Sequence, residues 1–378
     1  MRSQSHWRTG LALTTVAALT LGACSSGGSS TTGPGASPGG PAAVSKADVA
    51  QYLTPPATLP VTKTVSKPIP SGLRIEWLAG PFPQNVTELN GFNAAAAILG
   101  WSVHAAVYDP NNPATITTSI ESAIAAKPDA IVLGGVLTEQ FTAQLPKAAA
   151  AHIPIISAAT PNKPQPGVSV VVPTDSENSY TAKILADVII ADAAESGTTP
   201  HVLQLTVPAV SVYLGPSDEG MKSELAAKCP QCTRDQLDIN LPDVFNGKYP
   251  QQVVSYLQRH PDINTIVSNS GQVGVGLGAA LQQAGITNVK RYGLSATNVQ
   301  LQEIKNGQTE AWVVQPYQVL GWSIADQVAR VVTGDPTDLW ENEHLCYVVD
   351  SSNVAGVNVD DPEFPADYQA QFRKLWNK

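Results

Sequence analysis

The chain has 378 residues, a formal net charge of −9 and a charged fraction of only 14%. Its length exceeds that of one minimal domain and favours two or more hydrophobic cores. An acidic chain without a cluster of Lys or Arg has no electrostatic means of holding a phosphate backbone, which excludes nucleic acid as an expected partner. The hydrophobic fraction of 43% is ample for a packed interior and excludes overall disorder.

The first 23 residues are predicted to be a signal peptide rather than part of the fold. Arg2 and Arg8 precede an uncharged apolar run, LALTTVAALTLGA at 11–23, which is too short to span a bilayer comfortably. The run leads into Leu21-Gly22-Ala23-Cys24, which resembles the lipobox of bacterial lipoproteins. That resemblance implies cleavage before Cys24, diacylation of its sulfur and anchoring to the outer face of the cell membrane. An ordinary secretory signal is the alternative.

A flexible tether is predicted after this cysteine, so that residues 24–70 form the lipidated end and the linker. The segment SSGGSSTTGPGASPGGPAAVS at 25–45 has no charge and almost no large apolar side chain. Such a segment cannot bury enough surface to offset the entropy lost on ordering it.

From Leu73 onward, short apolar runs alternate with stretches of helical period. Strands that alternate with helices of about 10 to 15 residues indicate parallel sheets covered by helices on both faces. Ten strands are too many for one small sheet, so we predict an α/β fold with two doubly wound parallel-sheet lobes. The ten runs lie at 73–80, 101–109, 129–135, 153–160, 168–175, 201–208, 236–241, 263–271, 290–297 and 310–317.

The carboxyl ends of these strands carry the candidate ligand contacts, because open parallel sheets bind ligands at that edge. Amides and hydroxyls both donate and accept hydrogen bonds, which suits hydroxyl groups, whereas a phosphate or carboxylate normally needs Arg, Lys or a helix N-terminus. We therefore predict a small neutral polyhydroxy ligand, a sugar or polyol. The predicted ligand-binding residues are Phe82, Gln84, Asn85, Ser157, Thr160, Asp175, Tyr213, Asn269, Ser270, Ser295, Gln315 and Tyr317.

Some of these residues have a structural interpretation as well. Phe82 and Tyr213 are also candidates for packing near strand ends. Asp175 is also a candidate helix cap, since Thr174-Asp175-Ser176-Glu177 is a typical helix start.

The chain resembles the type I periplasmic substrate-binding proteins of ABC importers, particularly the sugar-binding branch with ribose- and galactose-type receptors. The resemblance covers roughly residues 73–355 and rests on the order of strands. It also rests on segments such as Asn111-Asn112-Pro113 before an amphipathic helix, AHIPI at 151–155, and Gln315 after its strand. It implies that a ligand bridges both lobes, shifts the population toward a closed form and is passed to an ABC permease.

The resemblance also implies a division of the chain. Three hinge crossings are expected near 173–175, 315–317 and 341–344. The N-terminal lobe would then comprise 71–174 and 316–342, and the C-terminal lobe 175–315 and 343–360. A helical tail is predicted at 361–378. We expect a monomer that uses no cofactor and no metal.

Several positions depart from the sugar-binding branch. Its usual Asp-Arg pair after the fourth strand is replaced by Ala158 and Ala159, and its later aspartate is replaced near Ser295. Its second binding arginine is lost near Gly215, while Gln315 is the best retained contact. Specificity for ribose or glucose is therefore not implied.

Cys229 and Cys232 form a CxxC motif that follows a predicted helix rather than opening one. Outside the cytoplasm this spacing predicts a structural disulfide between them, with Cys346 as a buried free thiol. Pairing of Cys346 with either of the other two is the alternative. The six histidines are scattered without metal-ligand spacing, and no catalytic set is predicted. Two alternatives remain open. One is a ligand-sensing lipoprotein of the same fold that signals to a membrane sensor, and the other is a secreted α/β hydrolase that uses Ser217 or Asp218.

Overall fold

The structure is a computed structural model that describes residues 44–378 apart from 111, 159, 161, 172–174 and 338–343. At 170, 171, 175, 176 and 211–213 it describes the backbone alone. The helices of the described residues are α1 (Lys46–Val49), α2 (Pro83–Leu99), α3 (Pro113–Ala125), α4 (Leu145–Ala150), α5 (Asp175–Ser196), α6 (Ser211–Lys228), α7 (Leu241–Phe245), α8 (Tyr249–Arg259), α9 (Leu277–Gln283), α10 (Asn298–Lys305), α11 (Tyr317–Thr333) and α12 (Tyr368–Leu375). The strands are β1 (Arg74–Ala79), β2 (Ser102–Val107), β3 (Ala130–Gly134), β4 (Ile155–Ala158), β5 (Val168–Val171), β6 (His201–Thr206), β7 (Thr233–Asp238), β8 (Thr265–Ser268), β9 (Lys290–Gly293), β10 (Ala311–Val314) and β11 (Tyr347–Asp350).

The sheet of the N-terminal lobe is parallel throughout, with strand order β2-β1-β3-β4-β5. Alternate residues of a strand point to opposite faces, so a strand covered on both sides must be apolar on both. Ile75 and Trp77 pack in one cluster with residues of α2 and α11. Leu78 packs in another with Ile116 and Ile120 of α3. Helices therefore cover both faces of this sheet.

The sheet of the C-terminal lobe has strand order β11-β10-β9-β8-β6-β7. Val202 and Val267 pack with α5 and α6 on one face, and Leu203 and Ile266 pack with α8 and α9 on the other. All pairings in this sheet are parallel except that of β11 with β10, which is antiparallel. The predicted α/β fold with two parallel-sheet lobes is confirmed, with β11 as an additional antiparallel edge strand.

The chain crosses between the lobes more often than the predicted three-crossing hinge. Three crossings lie between β5 and α5, between β10 and α11, and between α11 and β11. A fourth lies between α1 and residue 63, because α1 packs on α5 of the C-terminal lobe whereas the carbonyl of Lys63 accepts a hydrogen bond from Arg330 of α11. A fifth lies between β11 and α12, which also packs on α11. The described residues thus make five crossings.

The predicted tether over 24–70 is wrong for its second part. Residues 24–43 lie outside the described part of the chain, but residues 44–70 pack on the lobes. Val49 is buried against α5, and Leu59, Val65 and Ile69 are buried in the cluster around α11. The backbone N–H of Val65 donates to the carbonyl of Leu375 in α12, at 2.9 Å. The aliphatic side chains that anchor this segment are widely and irregularly spaced in the sequence. Hydrophobic periodicity therefore does not predict that the segment packs on the lobes.

The tail is helical at Tyr368–Leu375, within the predicted range 361–378. Its aromatic side chains surround Trp322 of α11, and Trp376 stacks on Trp322 with ring centroids 5.4 Å apart and an interplanar angle of 3°. Phe372 and Tyr368 contact the same ring at 5.7 and 5.6 Å. The tail is therefore part of the core of the N-terminal lobe.

Cys229 and Cys232 are joined in a disulfide at the end of α6, with Cα atoms 5.3 Å apart. Cys346 is a free, buried thiol beside β11. Burial raises the pKa of the Cys346 thiol well above its ordinary value, which disfavours the reactive thiolate. No helix in the described part of the chain has the length and apolar character needed to cross a membrane.

Candidate functional site

A cavity of about 140 Å³ lies between the two lobes. Side chains from the first turns of α2, from the turns after β6, β7 and β8, and from the connection between β10 and α11 line it. These positions are the carboxyl ends of parallel strands from both sheets, where the fold places ligands. The lining residues are Phe82, Gln84, Asn85, Glu88, Gly135, Asn178, Val207, Val210, Leu214, Leu241, Val244, Phe245, Ser270, Gln272, Val273, Ser295, Gln315 and Tyr317.

The N-terminal lobe contributes one face of α2. Phe82 precedes the helix in extended conformation, and Pro83 occupies the first helical position, where its missing N–H costs nothing. Gln84 and Asn85 lie in the first turn, and Glu88 follows one turn later on the same face because side chains three or four residues apart are neighbours. The Asn85 amide donates to the carbonyl of Gly80 at 3.1 Å, which fixes this turn to the end of β1.

Glu88 is buried because α2 and α11 approach each other closely. A Cβ at Gly321 would lie 2.0 Å from the carbonyl oxygen of Glu88, and a Cβ at Gly91 would lie 2.1 Å from that of Gln318. Glycine at both positions is therefore required for this helix contact. Glu88 is 2% exposed, and its Oε2 has no hydrogen-bond partner among the described residues. Desolvation raises the pKa of this carboxyl to about 8.

A group of hydrogen-bonded side chains forms the hinge end of the cavity. The hydroxyls of Ser295 and Tyr317 both donate to Oε1 of Gln315, at 3.0 and 3.2 Å. Two donors on one oxygen fix the orientation of the amide group. Ser295 has φ of 55°, in the left-handed region that few non-glycine residues adopt. Burial raises the pKa of the Tyr317 phenol, so its hydroxyl keeps its proton.

The C-terminal lobe contributes a wall that is mostly apolar. We call these seven side chains the apolar wall: Val207, Val210, Leu214, Leu241, Val244, Phe245 and Val273. Most of them also belong to the apolar cluster on one face of the C-terminal sheet.

Two contacts join the lobes at the cavity. The Gln84 amide of the N-terminal lobe donates to the Gln272 amide oxygen of the C-terminal lobe at 2.7 Å. The Phe82 and Phe245 rings meet with centroids 6.1 Å apart. The lobes therefore touch across the cavity, as in a closed form.

Seven of the twelve predicted residues line the cavity, namely Phe82, Gln84, Asn85, Ser270, Ser295, Gln315 and Tyr317. Ser157, Thr160 and Asn269 are buried beside strand ends and do not line it. The Ser157 hydroxyl accepts a hydrogen bond from Asn162 at 2.8 Å, and the Thr160 hydroxyl donates to the carbonyl of Ala158 at 2.7 Å. The side chains of Asp175 and Tyr213 lie outside the described part of the structure, as do the predicted lipidation site Cys24 and the signal peptide.

Sequence reasoning missed Glu88, Asn178, Gln272 and the apolar wall. Gln272 follows the predicted contacts Asn269 and Ser270, so its place after a strand was a usable signal. Glu88 lies inside a helix, and its burial depends on the approach of a helix more than 200 positions later.

The described lining of the cavity carries little charge. No Lys or Arg is among the described lining residues, and their one acidic side chain is Glu88. The described residues contain no cluster of three or more His, Cys, Asp or Glu that could hold a metal ion.

The two residues named for a hydrolase, Ser217 and Asp218, are not among those that line this cavity. The Ser217 hydroxyl donates to the backbone carbonyl of Asn178 at 2.9 Å, and Asp218 accepts a hydrogen bond from Gln204 at 2.8 Å. These partners give Ser217 no general base, so the geometry does not support it as a nucleophile.

The sequence profile of a family described as periplasmic binding protein domain matches residues 82–336. None of the curated proteins matches the chain. Similar solved structures include an ABC transporter solute binding protein from Mycobacterium smegmatis with bound glycerol, at 17% identity and a TM-score of 0.65, covering 76% of this chain and 97% of that one.

Two further structures show the same fold. A carbohydrate transporter from Acidothermus cellulolyticus in complex with myo-inositol is 20% identical with a TM-score of 0.62, covering 75% of this chain and 96% of that one. An ABC transporter solute binding protein from Agrobacterium vitis bound with α-D-tagatopyranose is 23% identical with a TM-score of 0.61. The match covers 75% of this chain and 96% of that one.

Proposed function

Because the chain belongs to the periplasmic binding protein domain family, we propose that it is an extracytoplasmic solute-binding protein that captures a sugar or polyol between its lobes and delivers it to an ABC permease. The observation that carries this proposal is a cavity lined by amides and hydroxyls from both lobes and by neither Lys nor Arg among the described residues. Similar structures hold glycerol, myo-inositol and α-D-tagatopyranose, which are neutral polyhydroxy molecules.

Binding proceeds by closure of the two lobes on the ligand. Each lobe alone pairs only part of the polar groups of a polyol, and closure removes the water that would pair the rest. A ligand group left unpaired in the closed form costs about 1–3 kcal/mol, which is the source of specificity. A ligand that contacts both lobes shifts the equilibrium toward the closed form by its differential affinity for it.

A thermal-shift screen of sugars, polyols, nucleosides and small amides tests this function. A ligand that binds only the native state raises the midpoint of unfolding in proportion to RT ln(1 + [L]/Kd). We expect shifts with one or more sugars or polyols. Shifts confined to nucleosides or amides would contradict the ligand class, and no shift with any member would contradict solute binding of this kind.

The Gln315→Ala variant should bind the polyol found in that screen about 5- to 150-fold more weakly, because loss of a buried hydrogen-bonding partner costs about 1–3 kcal/mol. Calorimetric titration measures the loss, and an unchanged circular dichroism spectrum shows that the fold remains. Gln302→Ala, on an exposed position of α10, is the matched control and should bind as the wild type does. Undiminished affinity of the Gln315→Ala variant would remove this residue from the site.

The lipid anchor is part of the same proposal. It rests on Leu21-Gly22-Ala23-Cys24 after the apolar run, since acyl chains on Cys24 would hold the protein at the outer face of the cell membrane. Mass spectrometry of the protein isolated from membranes should show Cys24 as the modified first residue. A mature chain that begins elsewhere, or an unmodified Cys24, would contradict the anchor.

A further inference from the structure

The cavity walls differ in chemistry from one lobe to the other. The N-terminal lobe and the hinge present one large apolar side chain, Phe82, together with Gln84, Asn85, Glu88, Gln315 and Tyr317. The C-terminal lobe presents the apolar wall, interrupted by Asn178, Ser270, Gln272 and Ser295. A ligand clamped between the lobes therefore meets mainly hydrogen-bonding groups on one side and mainly aliphatic and aromatic carbon on the other.

This asymmetry bears on which polyols can be held. A molecule with hydroxyls on all sides would press some of them against the apolar wall, where each unpaired group costs about 1–3 kcal/mol. A carbon group placed there gains about 0.8 kcal/mol for each CH₂ removed from water. The apolar wall thus selects for a ligand with an apolar part.

Glu88 supplies a second and independent observation at the opposite wall. Its side chain is 2% exposed, lines the cavity, and has an Oε2 without a partner among the described residues. The other titratable side chain among the described lining residues is Tyr317, whose hydroxyl already donates to Gln315. The carboxyl group is therefore available to form a hydrogen bond with the ligand.

We propose that the ligand is amphipathic, with a hydroxylated head that forms hydrogen bonds with Gln315 and Glu88, and an alkyl or deoxygenated part that packs on the apolar wall. This inference rests on the proposed function and narrows its ligand class from polyols in general to polyols or sugars with an apolar substituent.

Calorimetric titration with two homologous series tests it. One series is glucose with its methyl, propyl and butyl β-glucosides, and the other is 1,2-propanediol with 1,2-butanediol, 1,2-pentanediol and 1,2-hexanediol. We expect affinity to rise about fourfold for each added methylene, the equivalent of 0.8 kcal/mol, with an increasingly negative heat-capacity change on binding. Affinity that stays level or falls along both series would overturn the inference.

Two variants test whether the gain in affinity for each added methylene comes from contact with the apolar wall. Val244→Thr introduces a hydroxyl into the apolar wall with little change in size and should reduce the gain in affinity for each added methylene. Val299→Thr, at an exposed position of α10 outside the cavity, is the matched control and should keep the full gain. An equal gain in the wild type and the Val244→Thr variant would place the alkyl group elsewhere and overturn the inference.

The outcomes also separate this inference from the proposed function. If parent sugars or polyols bind but their alkyl derivatives bind no more tightly, the solute-binding function is supported and the amphipathic ligand is contradicted. If no member of either series binds and no compound in the thermal-shift screen raises the midpoint of unfolding, both the solute-binding function and the amphipathic ligand are contradicted.

Discussion

Replacing Trp376 with alanine should lower the free energy of unfolding by about 3–5 kcal/mol, the usual cost of removing a large buried aromatic side chain. Trp376 is 2% exposed and lies in the aromatic group formed by α11 and the tail. Its indole N–H donates to Oδ1 of the buried Asp326 at 2.9 Å. Asp326 also accepts from Arg330 Nε at 2.7 Å, and Arg330 donates to the carbonyl of Lys63 at 2.6 Å. The substitution therefore disturbs a network that ties the tail and the N-terminal segment to α11.

Two further variants separate packing from hydrogen bonding in this network. Trp376→Phe keeps most of the ring contact and removes the donor to Asp326, so its loss of stability should be smaller than that of Trp376→Ala. Lys374→Ala, at an exposed position of α12, should change stability by less than about 0.5 kcal/mol. Urea unfolding followed by circular dichroism measures all three. A loss below about 1 kcal/mol for Trp376→Ala would show that the tail is not part of the core.

The wild type should lose stability relative to the Glu88→Gln variant as pH rises from 5 to 8, by up to about 4 kcal/mol. The pKa of Glu88 is raised by burial from an ordinary 4.5 to about 8, so the folded protein holds a proton that the unfolded chain has released. The protonated Glu88 contributes its full stabilisation at pH values below the pKa of this group in the unfolded chain. This contribution then decreases as the pH rises and is lost once the pH exceeds the pKa of Glu88 in the folded protein. Glutamine is the neutral analogue of the protonated acid and has no such dependence.

Comparison with the variant is needed because burial also raises the pKa of Asp218 to about 6 and that of Glu363 to about 7. These two groups make the free energy of unfolding of both proteins fall as pH rises. The difference in free energy of unfolding between the wild type and the Glu88→Gln variant therefore reports on Glu88 alone. The Glu139→Gln variant, at an exposed position, should follow the wild type at every pH. Parallel profiles for the wild type and Glu88→Gln would show that Glu88 is ionised in the folded protein throughout this range.

Local sequence pattern predicts the sheets well because their strands are short apolar runs bounded by turn residues. Each of the ten predicted runs overlaps a strand, although β7 begins at Thr233 rather than at 236. β11 is not among the ten predicted runs. It follows a connection that sequence pattern does not resolve, and its place at the sheet edge depends on pairing with β10.

The packing of the chain ends could not be predicted in the same way. Residues 44–70 have isolated aliphatic side chains between prolines and polar residues, without a helical or strand period. They are ordered by contacts with α5, α11 and α12, which come from distant parts of the sequence. The tail helix was predictable from its amphipathic pattern, whereas its site on Trp322 was not.

The polar half of the candidate site follows from strand ends, but the apolar half does not. Gln84, Ser270 and Gln315 lie directly after strands or in the first turn of a helix, where the fold exposes side chains to the cleft. Val244 and Phe245 come from α7, a short helix beyond β7, and their apolar character resembles that of any core residue. Only the closed arrangement of the lobes shows that they face a cavity.

Hydrogen–deuterium exchange with and without the best polyol from the thermal-shift screen tests most directly whether the ligand is held between the lobes. Slower exchange is expected in peptides from both cavity walls, those that cover 82–88 in the N-terminal lobe and 270–273 in the C-terminal lobe. Protection of only one of these segments, or of neither at saturating polyol, would contradict capture by lobe closure.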